Sequence, residues 1–461
     1  MAIQELAAII LAAGQGTRMR SNLHKVLHPV AGKAMVHHLL DTVNTLNPAR
    51  KIIVVGDRAE QLEAAIEGAE FAVQNPQLGT GHAVQMALPV LEGFSDDLII
   101  LYGDVPFVPL PVMQSMIEAR ATDPATGIVV LGFRAQDPAA YGRLIVGKDG
   151  TLERIVEYKD ATNAERTINL CNSGIMLISG DRAADWLNAL TNTNAAGEYY
   201  LTDLVEIARN DNRSIQVVEA NETDVMGVNS RRDLAAAEAA FQARARQAAM
   251  ADGATLTAPD TVYFSHDTRL GRDITIEPNV FFGPGVTLED DVIIKANSHL
   301  EGTVVRRGAN IGPFARLRPG ADIGPGSKIG NFVEIKKAHL AAGVKVNHLT
   351  YIGDATIGAE ANIGAGTITC NYDGFLKYQT TIGAGAFIGS NSALVAPVDI
   401  GDGAIIGAGS VVTKDVASDA LAVSRARQRD IAGHAKRFRD EKTAEKAVKK
   451  SAEKTVKKTG A

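Results

Sequence analysis

Two short stretches near the start of this chain carry residues suited to phosphate chemistry. Residues 6–20 read LAAIILAAGQGTRMR, an apolar run that breaks into glycines and then cations, and Lys25 follows. Glycines let backbone N–H groups approach phosphate oxygens closely, so such a turn is a phosphate-binding candidate. Arg18 and Lys25 would place positive charge where a leaving phosphate gathers negative charge. The competing reading is a plain strand-to-helix connection. The spacing is neither GxGxxG with a ribose-binding acid nor a Walker loop, which disfavours nicotinamide and P-loop chemistry. Asp104 directly follows the apolar DLIILYG. A carboxylate at the carboxyl end of a strand suits Mg2+ held against nucleotide phosphates, while an Asp in a turn before Pro106 is the alternative. Far downstream, His348 stands in NHLTY, either as a general base or as a turn histidine bonded to backbone.

These groups need a frame. Apolar runs KIIVVG (51–56), DLIILYGDVP (97–106), TGIVVLGF (126–133) and SGIMLIS (173–179) alternate with amphipathic stretches such as 35–46 and 59–66. That alternation predicts a mainly parallel sheet wrapped by helices, with ligands at the carboxyl ends of the strands. Residues 231–252 are rich in alanine and lack glycine and proline, which predicts a helix capped by Ser230 and ended by Gly253. Its bulky apolar residues, Leu234, Phe241 and Met250, form a narrow stripe, so it reads as a spacer without chemistry.

The second half keeps a different beat. Leu270, Ile276, Phe282, Leu288, Ile294 and Leu300 recur every sixth residue; the phase slips near 306–310 and resumes from Ile311 to Ile335. It is interrupted at 340–351 and again at 370–381, then runs cleanly from Ile382 to Val412. A period of six fits neither a helix nor a flat strand. It fits short strands joined by tight turns in a solenoid, whose interruptions map to loops and binding surfaces.

A chain of 461 residues exceeds one ordinary core and predicts at least two domains. The composition is that of a soluble protein, and the net charge of −6 disfavours non-specific nucleic-acid binding. Cys171 and Cys370 form neither a disulfide framework nor a metal-ligand spacing, which suits a reducing compartment. The run 6–13 lacks a basic leader, and no stretch approaches the roughly 20 apolar residues of a membrane span. The expectation is a cytoplasmic protein with no membrane partner. From Ala435 the chain is lysine-rich, which predicts a solubilising tail, disordered or transiently helical.

Taken together, LAAGQGTRM (11–19) with Lys25, QLGTGHA (77–83), LYGDVP (101–106), YGR (141–143), IVEYKDAT (155–162), NSGI (172–175) and GEYYLTD (197–203) resemble the sugar-1-phosphate nucleotidyltransferases. Within them the chain is most similar to the bacterial bifunctional N-acetylglucosamine-1-phosphate uridylyltransferase/glucosamine-1-phosphate N-acetyltransferase family, and NHLTYIGDATIG matches that family's catalytic segment. The resemblance implies an α/β fold with a Rossmann-like nucleotidyltransferase domain (1–229), a connecting helix (230–252), a left-handed parallel β-helix of hexapeptide repeats (253–433) and a tail (434–461). It implies acetylation of glucosamine 1-phosphate by acetyl-CoA. Uridylyl transfer from UTP with Mg2+ then gives UDP-N-acetylglucosamine and pyrophosphate for cell-wall precursor supply, in a homotrimer.

Residue by residue, Leu11, Ala12, Ala13, Gly14, Tyr102 and Gly103 would lie along the nucleotide, with Arg18 and Lys25 towards its phosphates. Gln74, Gly79 and Thr80 would recognise uracil, Asp104 and Asn229 would hold the metal, and Gly142, Glu157 and Asn172 would contact N-acetylglucosamine. In the solenoid, His348 would take the amine proton as the amine attacks the thioester. Arg318 and Lys336 would bind the sugar phosphate, and Tyr351 and Asn362 would position the amino sugar. Asn371, Tyr372, Ala365, Ser390, Ala408 and Arg425 would lie along acetyl-CoA. One departure is visible: proline often precedes the loop lysine in that family, and here His24 does. The rival readings are a single-activity nucleotidyltransferase with a structural or regulatory β-helix, and a non-enzymatic sensor or scaffold.

Overall fold

The structure is a computed structural model that describes residues 5–138, 141–194 and 196–459. The described residues fall into two compact units, one spanning Met1–Gly326 with Gly330–Phe332, the other Ser327–Ile329 with Val333–Ala461.

The first unit opens with a nine-stranded sheet: β1 (Leu6–Ala12), β2 (Arg50–Val55), β3 (Glu70–Val73), β4 (Asp97–Tyr102), β5 (Thr126–Arg134), β6 (Arg143–Val146), β7 (Leu152–Val156), β8 (Leu170–Ile178) and β9 (Ser214–Ala220). Its order is β9-β5-β8-β4-β1-β2-β3, with the β6–β7 hairpin attached to β8. The strands β3, β2, β1 and β4 are parallel as expected. The strand carrying SGIMLIS is the exception, since β8 runs antiparallel to both β4 and β5. Strand β1 sits at the centre with helices on both faces. Ala7, Ile9 and Leu11 enter one core and Ala8, Ile10 and Ala12 the other. A strand buried on both faces must be apolar at every position, which is why 6–13 reads as an unbroken hydrophobic run. The stretch 35–46 is a helix, Met35–Leu46, that buries Met35, Val36, Leu39, Leu40 and Val43 on one face.

The alanine-rich segment is a helix over Arg231–Ala251, started by a Ser230/Asp233 capping box. Its buried residues are not the bulky ones: Leu234 and Phe241 are half-buried and Met250 is exposed. Ala237, Gln242 and Ala249 are buried instead. Gln242 satisfies both backbone groups of Phe264, at 2.8 and 2.7 Å, and Glu238 Oε2 accepts from the Ala31 amide at 2.7 Å. The helix therefore packs through small side chains and buried hydrogen bonds, a signal that an apolar-stripe reading does not register.

After this helix come short parallel strands in register from coil to coil. Thr275–Ile276 pairs with Ile293–Ile294, which pairs with Asn310–Ile311, and Phe281–Phe282 pairs with His299–Leu300. The phase slip near 306 is a coil one residue short: Leu288 pairs with Val305, whereas Ile276 pairs with Ile294.

The second unit continues in the same style and corrects one expectation. The stretch 340–351 is not an interruption, because Leu340, Val346 and Ile352 all point inward and are fully buried. Ile335 pairs with Ile352 and Leu340 with Ile357, so these are again short coils. Leucine and valine take the inward places without the usual glycine, and that hid the coil from the six-residue pattern. The second interruption is real. Ile357 pairs with Ile382, 25 residues on, and the extra chain forms a loop at 371–379. The tail, expected to be disordered or transiently helical, is a helix over His434–Thr459. Ion pairs one turn apart, such as Lys436–Asp440 and Lys449–Glu445, favour it. Its side chains through residue 452 are exposed. No helix among the described residues is long and apolar enough to cross a membrane.

Candidate functional site

The carboxyl ends of β1 and β4 open onto a cavity of about 390 Å3, walled by Leu11, Ala12, Ala13, Gly14, Lys25, Gln74, Gly79, Thr80, Tyr102 and Asp104. Ten of the residues singled out for the nucleotide thus share one wall. Parallel strands place their carboxyl-end loops side by side, which is why segments far apart in sequence meet here. At Gly14 an added Cβ would meet no protein atom within 4 Å, so the space before its backbone is open to a ligand. Gly79 is required differently. Its φ is +109°, and a Cβ there would come within 2.6 Å of the Tyr199 carbonyl. The cavity is flanked by the turn Lys25–Leu27, whose lysine ammonium lies 2.5 Å from Asp104 Oδ2 and 3.2 Å from Asn229 Oδ1.

That convergence has a local cause. Asp104 does stand in a turn, with the Val105 amide on the Tyr102 carbonyl, and its own carbonyl accepts from the Val228 amide at 2.9 Å. This bond brings Asn229 beside Asp104. The Asn229 amide is also part of the helix start, donating to Asp233 Oδ2 at 3.0 Å, while its side chain faces Lys25. The backbones of these two residues make the turn and the helix start, while the Asp104 side chain lines the cavity and both side chains meet the Lys25 ammonium. Asp104 and Asn229 offer two oxygen donors already gathered around one cation, and that donor set fits a hard divalent ion taking its other ligands from phosphate and water. Among the described residues no cluster of three or more His, Cys, Asp or Glu converges, here or elsewhere.

A second cavity of about 790 Å3 adjoins the first and shares Thr80, Tyr102 and Glu198 with it. Glu157 and Asn172 line it with Tyr158, Lys159, Tyr200 and Thr202. Burial, reinforced by Asp160 and Asp203, raises the Glu157 pKa above the ordinary carboxylate value. Burial also pushes the Tyr102 hydroxyl well above its usual range, with Asp104 adding to the shift. Asn172 Oδ1 accepts from the Gly174 amide at 3.0 Å, so it satisfies a turn as well as lining the cavity. Gly142 lies against the Glu157 carboxylate, and Gly103 is tied by its amide to the Leu11 carbonyl at 3.0 Å. Arg18 is exposed on the turn Thr17–Met19 and is not part of either wall.

Sequence reasoning missed Gln77, Glu198, Tyr200 and Thr202. Gln77 Nε2 donates to the Ala13 carbonyl at 2.5 Å and so braces the glycine turn. All four lie in QLGTGHA or GEYYLTD, but nothing in their types or spacing marked them individually.

In the second unit, Lys336 pairs in register with Gly353. A Cβ on Gly353 would collide with Tyr351 Oη and Asn371 Nδ2, so those three residues crowd one spot. Thr369 Oγ1 holds the spot by accepting from the Gly353 amide at 2.8 Å and donating to its carbonyl at 3.1 Å. Asn371 donates to the Asp354 carboxylate. His348 ends the strand Lys345–His348 with its side chain exposed, and its carbonyl accepts from Thr350 Oγ1 at 2.7 Å. Tyr372 is exposed and bonds to the Gly374 carbonyl at 2.5 Å. Ala365, Ser390 and Ala408 occupy one edge on successive coils: the Asn391 amide donates to Ala365 and the Gly409 amide to Ser390. Arg425 Nη1 donates to the Ala408 carbonyl at 2.6 Å. Asn362 opens the strand Asn362–Ile363, and Arg318 belongs to the first unit.

Comparison with known proteins gives two family matches. Residues 8–171 match the MobA-like NTP transferase domain, and residues 302–337 and 379–414 match the bacterial transferase hexapeptide (six repeats). With the observed strands, these matches bear out the expected α/β nucleotidyltransferase domain and left-handed β-helix. The chain is 57% identical to the bifunctional protein GlmU of Sphingopyxis alaskensis over 96% of its own length and 98% of the relative's. It is 59% identical to that of Rhizorhabdus wittichii, over 98% and 100%. With that of Paramagnetospirillum magneticum it shares 54% identity over 97% and 100%.

Proposed function

The chain belongs to the bifunctional GlmU family, and on that premise we propose how its residues divide two chemistries. It is a uridylyltransferase and a glucosamine-1-phosphate acetyltransferase, serving cell-wall precursor synthesis. Its substrates are small molecules, and its uridylyltransferase chemistry depends on a divalent metal.

In our reading the 390 Å3 cavity takes UTP and the adjoining one takes N-acetylglucosamine 1-phosphate. A phosphate oxygen of the sugar attacks the α-phosphorus in line, the new P–O bond forms, and the bond to the leaving pyrophosphate breaks. Gln74, Gly79 and Thr80 hold the base, Gly14 offers its amide to phosphate, and Lys25 neutralises charge on the leaving group. Glu157, Asn172 and Gly142 orient the sugar. Asp104 and Asn229 would hold Mg2+, which when bound supplies charge neutralisation at the phosphates. No protein nucleophile is needed. In the second unit, His348 takes the proton of the glucosamine amine as nitrogen attacks the thioester carbonyl, and coenzyme A leaves as the thiol. Arg318 and Lys336 bind the sugar phosphate, and Tyr351 and Asn362 position the amino sugar. Asn371, Tyr372, Ala365, Ser390, Ala408 and Arg425 line the acetyl-CoA path.

One observation carries the first assignment: Lys25 bridges Asp104 and Asn229 beside a cavity that continues into a second one. For assembly we favour a homotrimer, supported by outward-facing apolar side chains on the solenoid such as Phe387, Ile405 and Val411. A cytoplasmic location goes with this reading, where both co-substrates are made. The test is to incubate pure protein with each substrate pair, with and without divalent ion, and identify products by mass spectrometry. Both products are expected; absence of acetyl transfer would leave the single-activity reading, and absence of both would leave a sensor.

A further inference from the structure

We infer that His24 is a positioning residue for Lys25, and that it acts as an uncharged imidazole; this rests on the uridylyltransferase reading above. His24 caps the short turn Lys25–Leu27 that carries the phosphate-facing lysine. Its side chain is only 4% exposed. Nδ1 accepts from the Val26 amide at 3.4 Å, a long bond, and Nε2 is buried without a hydrogen-bond partner. The Ala12 carbonyl is near enough to pull the ring towards a proton. Ala12 and Val26 both line the nucleotide cavity. The ring thus stands behind two of its walls, the glycine turn and the lysine turn.

The same segment is clamped from outside. The His24 amide donates to Gln61 Oε1 at 2.7 Å, Gln61 Nε2 donates to the Asn22 carbonyl at 3.0 Å, and Arg58 Nη1 donates to the Ser21 carbonyl at 2.8 Å. Residues 21–24 are therefore fixed by the helix Ala59–Ala65 and the residue before it. Gly16 packs so closely on this arrangement that a Cβ there would lie 2.8 Å from Lys25 Cβ.

The charges that face the ring are Lys25 on its own segment and Arg58 and Asp57 ahead of the helix. Burial first, then Lys25 and Arg58, hold the His24 pKa below its ordinary value, against the Ala12 carbonyl and Asp57. A protonated imidazole has no acceptor, so it would release the Val26 amide. It would also set a second cation beside Lys25. Folded His24 binds fewer protons than in the unfolded chain, so the turn is most stable above the ordinary histidine value and loses stability as pH falls below it. The uridylyltransferase site should fail on the acid side before the rest of the fold does.

The backbone offers a way to separate positioning from titration. His24 has φ −56° and ψ 141°, values that a proline ring would impose by itself. A proline there keeps the turn's entry angle and cannot titrate, though it gives up the amide bond to Gln61. The experiment compares the full-length parent with H24A, H24P and Q61A between about pH 5 and 9. UDP-sugar formation, acetyl transfer, and calorimetric Kd for UTP are measured on each. We expect H24A to lower kcat/KM for UTP about ten- to a hundredfold at neutral pH. H24P should recover most of that loss and, with N-acetylglucosamine 1-phosphate saturating, erase the acid limb of kcat/KM for UTP. Q61A should lower kcat/KM while keeping the limb, and all three should retain acetyl transfer, which reports an intact fold. Parental kcat/KM in H24A, or a parental acid limb in H24P, would overturn the inference. If the parent binds UTP without turnover, the uridylyltransferase reading fails, and the same comparison of Kd values still decides the role of His24. If the parent neither binds nor turns over UTP, both fall.

Discussion

Beside the first cavity, Lys25, Asp104 and Asn229 come from three distant stretches of chain, and the lysine donates to both of the others. Along the solenoid, Asn371 bonds to Asp354, Tyr372 to Gly374 and Arg425 to Ala408, each reaching no further than its own or the preceding coil. The first arrangement is a preorganised, half-buried constellation set by a sheet. The second is an open edge on which His348 and Tyr372 stay exposed. A twisted sheet gathers loops from remote segments at one end, whereas a solenoid lets each repeat touch only its neighbours. In the first region one lysine is held by side chains from two remote segments; in the second the bonds named above stay within neighbouring coils.

If the two regions hold independent chemistries, single substitutions should split the activities. The largest effect is expected from His348→Ala, which should cut acetyl transfer by about 10²–10⁴-fold and leave UDP-sugar formation unchanged. Asp104→Ala should do the reverse, at about 10²–10³-fold, because it removes one of the two proposed donors to the metal and the partner of Lys25. Loss of both activities by either variant, with the fold intact by circular dichroism, would break the comparison. Gly353→Ala sharpens it on the solenoid side. The new Cβ would crowd Tyr351 and Asn371, so a stability loss of about 1–3 kcal/mol is expected by denaturant titration. A roughly tenfold fall in acetyl transfer should accompany it.

A milder effect is expected at Glu157. Burial keeps its carboxyl protonated to higher pH than usual, so the charged form that we propose binds sugar is present above the raised pKa and lost as pH falls through it. The KM for N-acetylglucosamine 1-phosphate should therefore climb at mildly acidic pH, before an ordinary carboxylate would titrate. Glu157→Gln should remove that climb while raising KM at neutral pH by about tenfold. The folded state binds more protons here than the unfolded chain does, so this burial is least costly to stability at low pH. An unchanged KM profile in the variant would take Glu157 out of the sugar site.

The strands of the first unit were legible because apolar runs alternate with helical stretches, and β1, β2 and β4 lie where KIIVVG and its counterparts predict. The antiparallel course of β8 was not, since direction leaves no trace in composition. The six-residue beat was legible wherever isoleucine and glycine recur. It failed at 340–351 because Leu340 and Val346 fill the inward places in coils one residue short. The helix 231–251 was legible from propensity, while its packing through Ala237 and Gln242 was not. Individual site residues such as Asp104 and Asn229 carried equal weight as turn and cap residues, and only their joint motifs spoke for a site.

Residue order alone determined the periodicities, and with them the two kinds of element and the motif set that marks the family, because side-chain spacing follows directly from backbone geometry. The tertiary structure decided which carboxylate meets which lysine, that Glu157 is buried enough to shift its titration, and that His24 stands behind two cavity walls. Those facts depend on distances between segments up to 204 residues apart, and such distances are settled only when the sheet brings its loops together.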